Sequence, residues 1–186
     1  MKLVFALAFI IFAFTARFLE HAPNFVPIGA LALWSGVYLS KKYSLFIPLL
    51  VMFLSDVLIG FYDWKVMSSV YAGFAIMGLL GWWARREKSV GNILFASLGG
   101  AVIFYIITNF AVWATSTWYS HNLYGLLSSY TLALPFFRNS LMGDLFYGAV
   151  FFGTYEGFLL LKRKLPAILA GPRGALNSGN RRSVLS

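Results

Sequence analysis

Val90–Ala114 reads VGNILFASLGGAVIFYIITNFAVWA, 25 residues without one charged side chain. A helix rises 1.5 Å per residue, so about 20 such residues cross the ~30 Å hydrocarbon core of a bilayer. A stretch this long and this apolar reads as a transmembrane helix. Its neighbours on both sides carry the same signal.

Before it come the apolar runs Lys2–Leu19, Val26–Ser40 (opened by Pro27), Ser44–Tyr62 and Val66–Ala84. After it come a polar, aromatic stretch, Thr115–Asn122, an apolar segment of moderate length, Leu123–Phe137, and a last long run, Arg138–Leu161. The first run has a basic start and an apolar middle, like a signal peptide. However, Phe14 stands where an A-x-A cleavage site ending at Ala16 needs a small residue, so the run is read as a retained helix. Across the chain 60% of residues are hydrophobic and 11% are charged. Soluble domains carry about 25% charged residues, so this chain has too few to solvate a globular surface.

Placement of the basic residues sets the expected threading. Lys2, Lys41, Lys42, Arg85, Arg86, Lys88, Lys162, Arg163, Lys164, Arg173, Arg181 and Arg182 fall on one side if six runs cross, while Arg17, Lys65 and Arg138 fall on or near the other. The positive-inside rule makes the richer side cytoplasmic. This count requires that Leu123–Phe137 not cross, and Tyr124, Ser128, Ser129, Tyr130 and Thr131 give that segment polar atoms that lipid would not favour. The expected fold is therefore all-α. It is a six-span bundle over residues 1–165 with both ends in the cytoplasm, and it carries a re-entrant or surface helix before the last span. A flexible basic tail, 166–186, follows, and the expected location is the bacterial cytoplasmic membrane.

Several chemistries are excluded. The chain has no cysteine and only two histidines, His21 and His121, far apart in sequence, so neither a thiolate nor a histidine metal site is expected. No P-loop, H-E-x-x-H or G-x-S-x-G occurs. Leu141-Met142-Gly143-Asp144 departs from the G-x-G-D of intramembrane aspartyl proteases. The chain is read as a non-enzyme without cofactor. The net charge of +9 sits in short clusters between apolar runs, where topology signals sit, and this argues against a nucleic-acid partner.

Charge at bilayer depth costs ~2.5–3.5 kcal/mol per group on insertion scales, so buried polar groups should face inward. Counting residues from the helix ends puts Asp56 and Asp144 about 9 Å below the outer end of their helices. Arg17 and Asn109 fall in the same shallow layer, with Arg138 just above it. Two readings stay open for this layer: an ion-pair network that pins helices 1, 3 and 6, or a pocket for a polar solute. Small residues, Gly73, Gly78 and Gly81 in the fourth run and Gly99 and Gly100 in the fifth, mark places where helices can approach closely.

Several motifs resemble a bacterial family of uncharacterised small polytopic membrane proteins. They are Pro23-Asn24-Phe25-Val26-Pro27-Ile28-Gly29-Ala30-Leu31-Ala32-Leu33, Leu54-Ser55-Asp56, Thr108-Asn109-Phe110-Ala111-Val112-Trp113, and Pro135-Phe136-Phe137-Arg138-Asn139 with Gly143-Asp144. More distantly the chain resembles the S components of energy-coupling factor transporters. That resemblance implies six helices, cytoplasmic termini, a vitamin or other micronutrient bound near the outer face, and a separate transmembrane coupling protein with two ATPases. The A-x-x-x-A docking pattern of many S components is missing from helix 1, whose alanines are Ala6, Ala8, Ala13 and Ala16. Docking would then move to another helix.

The resulting expectation is a membrane subunit that captures a small polar or aromatic solute at the outer face. Asn24, Asp56, Asn109, Arg138, Asn139 and Asp144 would contact its polar parts, and Trp113, Tyr119 and Tyr130 would pack on it. Loop His21–Val26 and segment Leu123–Phe137 would gate the site. The alternative is a non-transporting scaffold of the cell envelope, of the cell-shape type, whose buried charges are structural.

Overall fold

The described residues form six helices: α1 (Lys2–Ala16), α2 (Ile28–Tyr38), α3 (Lys41–Ile59), α4 (Trp64–Ala84), α5 (Val90–Thr115) and α6 (Leu123–Gly179). The structure, a computed structural model, describes the backbone of residues 1–179 and the side chains of residues 1–165. No strand occurs among the described residues. The chain divides into two compact units, Met1–Phe151 and the remainder from Phe152, and the side-chain contacts and cavities described below lie in the first.

Among the described residues three helices, α3, α4 and α5, are long and apolar enough to cross a membrane. The first two expected runs form shorter apolar helices, of 15 and 11 residues. At 1.5 Å per residue α2 covers only about 17 Å, half a bilayer core. Its role is different, because every residue from Ile28 to Tyr38 is buried. A helix apolar all round belongs in the middle of a protein, and α2 is the centre of the first unit. It packs against α3 and α4 and also touches α1 and α5. Phe9 of α1 closes one side, edge-on to Trp34 at 5.0 Å and stacked on Phe151 at 4.2 Å.

The two ends of this unit differ. At one end lie Lys41, Lys42 and the Arg85–Lys88 turn; at the other lie the ends of α1, α3 and α5 and the starts of α2, α4 and α6. At the basic end α2 crosses α4 backbone against backbone. A Cβ on Gly36 would collide with the Gly78 carbonyl and the Gly81 Cα, and a Cβ on Gly81 with the Leu33 carbonyl. Of the glycines expected to mark close approach in the fourth run, Gly81 does so against α2, Gly78 against α3 with α2 behind it, and Gly73 against Phe104 of α5. The last carbonyls of α2 are then capped by Arg85, whose guanidinium donates to Gly36 O at 2.6 Å and also to Leu39 O. The helix C-terminus carries partial negative charge, so a cation there is favourable. Lys41 lies 4.1 Å from the Trp82 ring centre and completes the seal.

The expected break before the last span is absent: Leu123–Phe137 and Arg138–Leu161 form one uninterrupted helix. Three of the polar residues that argued for a surface helix have partners on α6 or α5. Ser129 and Thr131 donate to carbonyls of their own helix, and Tyr130 Oη donates to Ile106 O of α5 at 2.9 Å. Pro135 sits within the helix, as membrane-type helices tolerate when neighbours cover the freed carbonyl. The helical backbone runs on through 166–179, into the expected tail, and 180–186 lie outside the described residues.

Candidate functional site

The end opposite the basic turn is where charged and polar side chains enter the bundle. α1 stops at Ala16, and Arg17 follows as its C-cap with the side chain turned toward α3. Its Nη2 lies 2.8 Å from Asp56 Oδ1, and its Nη1 donates to Ser55 Oγ at 2.6 Å. The second oxygen of Asp56 accepts from Tyr71 Oη at 2.8 Å. Asp56 is 1% exposed and Arg17 16%. One carboxylate thus ties α1, α3 and α4 together, with both oxygens engaged. Of the expected network only this part forms, and its third helix is α4, not α6.

Asp144 acts elsewhere. It is buried, and its carboxylate lies against the first turn of α2, at Gly29 and Ala30. Ala30 lies in the first turn of α2, where backbone N–H groups lack partners within the helix. The preceding Pro27 supplies no side-chain cap, so Asp144 of α6 caps α2 from outside its own sequence. One glycine makes this contact fit: a Cβ on Gly29 would overlap the Asp144 carboxylate, while Gly143 packs at ordinary van der Waals distance from Phe25 and Val26. The local sequence Pro27-Ile28-Gly29-Ala30 and the pair Gly143-Asp144 are two halves of one device.

Between these two charge centres lies a cavity of about 570 Å³. Arg17 and Met52 line it from α1 and α3, Val66, Val70 and Phe74 from α4, and Phe104, Tyr105, Thr108, Asn109 and Val112 from α5. α6 contributes Ala133, Phe136, Phe137 and Ser140, and the loops contribute His21, Asn24, Tyr62 and Trp118. A second, much smaller chamber of about 40 Å³ shares Asn24, Val26, Phe74, Phe104 and Ser140 with the first and adds Gly29 and Asp144. The start of α2 and its capping carboxylate therefore adjoin the cavity. Mostly apolar and aromatic walls with a few polar atoms, at this volume, are what a small-molecule site needs.

The expected site residues separate into two groups. Asn24 and Asn109 line the cavity, and Asp144 lines the small chamber. Asp56 stands behind the wall and acts on Arg17. Asn139 donates to Pro23 O at 3.0 Å and fastens the loop that carries Asn24, whose backbone is left-handed at φ 65°. The others lie outside the lining. Trp113 Nε1 donates to Ser120 O at 3.0 Å in the α5–α6 turn, and Tyr130 is engaged with α5. Tyr119 is half-buried and Arg138 exposed, and neither lines the cavity. The expected candidates omitted Tyr62, Thr108, Ser140 and Trp118. Ser140 is one helical turn before Asp144 on α6, and Thr108 is adjacent to Asn109, so i to i+4 spacing was a usable signal for the first.

No curated protein and no solved structure matches this chain. A family model does match, over residues 1–168, and the chain belongs to the family of unknown function DUF6580.

Proposed function

We propose that this protein captures a small solute as the membrane-embedded binding subunit of a micronutrient uptake system. In this reading it threads the bacterial cytoplasmic membrane six times with both termini inside, so the cavity end faces outward and the Arg85–Lys88 end faces the cytoplasm. Solute enters near loop His21–Val26, and a separate transmembrane coupling subunit with ATPases supplies energy.

The observation that carries the reading is the 570 Å³ cavity, walled by Phe104, Phe136, Phe137 and Trp118 with Asn24, Asn109 and Ser140 among them. Aromatic faces suit a solute with a flat ring, and the amide and hydroxyl groups suit its polar edge. A scaffold of the cell envelope needs no such space.

The test is mass spectrometry of small molecules released from the detergent-purified protein, beside a Val70→Trp variant that fills the cavity from α4. The expected outcome is one compound released from the wild type and depleted in the variant, at equal thermal stability. Identical small-molecule profiles from two well-folded proteins would favour the scaffold.

A further inference from the structure

We infer, resting on the capture reading above, that the cavity selects uncharged solutes and that Asp56 sets this selectivity without touching the solute. Arg17 is the one lysine, arginine or acidic side chain among the described residues lining the main cavity. Its guanidinium is already bound, to Asp56 at 2.8 Å and to Ser55 at 2.6 Å. Asp56 is 1% exposed and has given its other oxygen to Tyr71. The second acidic group, Asp144, is buried against the first turn of α2 at Gly29 and lines the small chamber, not the main cavity. The one such charged side chain on the main cavity wall, Arg17, therefore has its counter-charge inside the wall.

The consequences for a solute differ by sign. An anion that engaged Arg17 has to draw the guanidinium from Asp56, leaving a buried carboxylate short of its partner, and that loss outweighs the new contact. A cation leaves water and finds no unengaged carboxylate on the wall. An uncharged solute gives up only hydrogen bonds to water, which Asn24, Asn109 and Ser140 can replace. Asp56 is thus a positioning residue. It neutralises Arg17, and Arg17 faces the solute.

A matched series tests this: naphthalene-2-carboxamide, 2-naphthoate and 2-naphthylmethylammonium, titrated calorimetrically into the full chain in nanodiscs. The carboxamide should bind about tenfold or more tightly than either charged analogue, the scale of one charge-assisted hydrogen bond. Asp56→Asn keeps the shape and an acceptor for Tyr71 but releases Arg17, so 2-naphthoate should gain roughly tenfold in affinity. The double variant Arg17→Met with Asp56→Asn removes both charges and should keep the wild-type preference, which also decides the matter if the single variant fails to fold. A charged analogue binding the wild type as tightly as the carboxamide overturns the selectivity but leaves capture standing. An unchanged 2-naphthoate affinity in folded Asp56→Asn, or a lost preference in the double variant, overturns the role of Asp56. Saturable binding of none of the three overturns both readings.

Discussion

The two ends of α2 solve the same problem by opposite means. At its start, first-turn amides meet a carboxylate from α6 beside an open cavity. At its finish, the last carbonyls meet a guanidinium from α4 in a place where two backbones touch. Both ends need a glycine, but for different neighbours: Gly29 makes room for a side chain and Gly36 for a backbone. A side chain can swing away and a backbone cannot. The basic end is therefore the rigid end, and the cavity end is the one that can accommodate change.

Overpacking is the strongest way to break this contrast. Gly36→Ala drives a methyl into the Gly78 carbonyl and the Trp82 amide, both fixed in α4. We expect a loss of about 3 kcal/mol or more, at the upper end for overpacked cores. In a protein of ordinary marginal stability this removes most of the folded population. The check is the monodisperse fraction on size exclusion with thermal unfolding in detergent. Gly29→Ala meets only the Asp144 carboxylate and should cost less, on the order of 1–2 kcal/mol. Equal losses at the two glycines would erase the distinction between the ends.

Arg85→Gln comes next. It leaves the Gly36 and Leu39 carbonyls without their charged donor at a buried helix end. Charge-assisted bonds contribute about 1.5–3 kcal/mol each, so a loss near 2–3 kcal/mol in thermal unfolding is expected. At the other end Asp144→Asn keeps an acceptor for the Ala30 amide and forfeits only the charge, so the expected loss is about 1 kcal/mol. Asp144→Ala removes the acceptor as well and should cost more than Asp144→Asn. An Asp144→Asn protein less stable than Arg85→Gln would make the cavity end the rigid one.

Much of this architecture was legible in the chain. The apolar runs marked α1 to α5 and, as two separate segments, α6, and Gly78 and Gly81 marked a close helix approach. Of the polar layer, Arg17 and Asn109 line the cavity, Asp144 lines the small chamber beside it, and Asp56 stands behind the wall. Hydropathy could not separate α2 from its neighbours, because a helix surrounded by protein and a helix surrounded by lipid are both apolar on every side. Residue counting gave Asp56 and Asp144 the same depth but no partners. Depth is a one-dimensional quantity, and what distinguishes them is lateral: one faces α1 and α4, the other the first turn of α2. The uninterrupted α6 was hidden by the count of basic residues and by Ser129, Tyr130 and Thr131, whose bonds within α6 and to α5 the sequence does not show.

Trp113 sharpens the contrast at its weakest point. Sequence placed it in the site beside Asn109, four residues earlier on α5. In the structure Asn109 lines the cavity, while Trp113 is turned to the α5–α6 connection, donating to Ser120 O and lying 6.0 Å from the His121 ring. Trp113→Phe removes one partly exposed hydrogen bond and keeps a ring. It should lower stability by no more than about 1 kcal/mol and leave solute release by mass spectrometry unchanged. Asn109→Leu should do the reverse, keeping the fold, since its amide donates only back to Tyr105 O, and losing the solute. If Trp113→Phe empties the protein and Asn109→Leu does not, the solute sits under the α5–α6 turn, against the rings of Trp113, Tyr119 and Tyr130 that the sequence suggested.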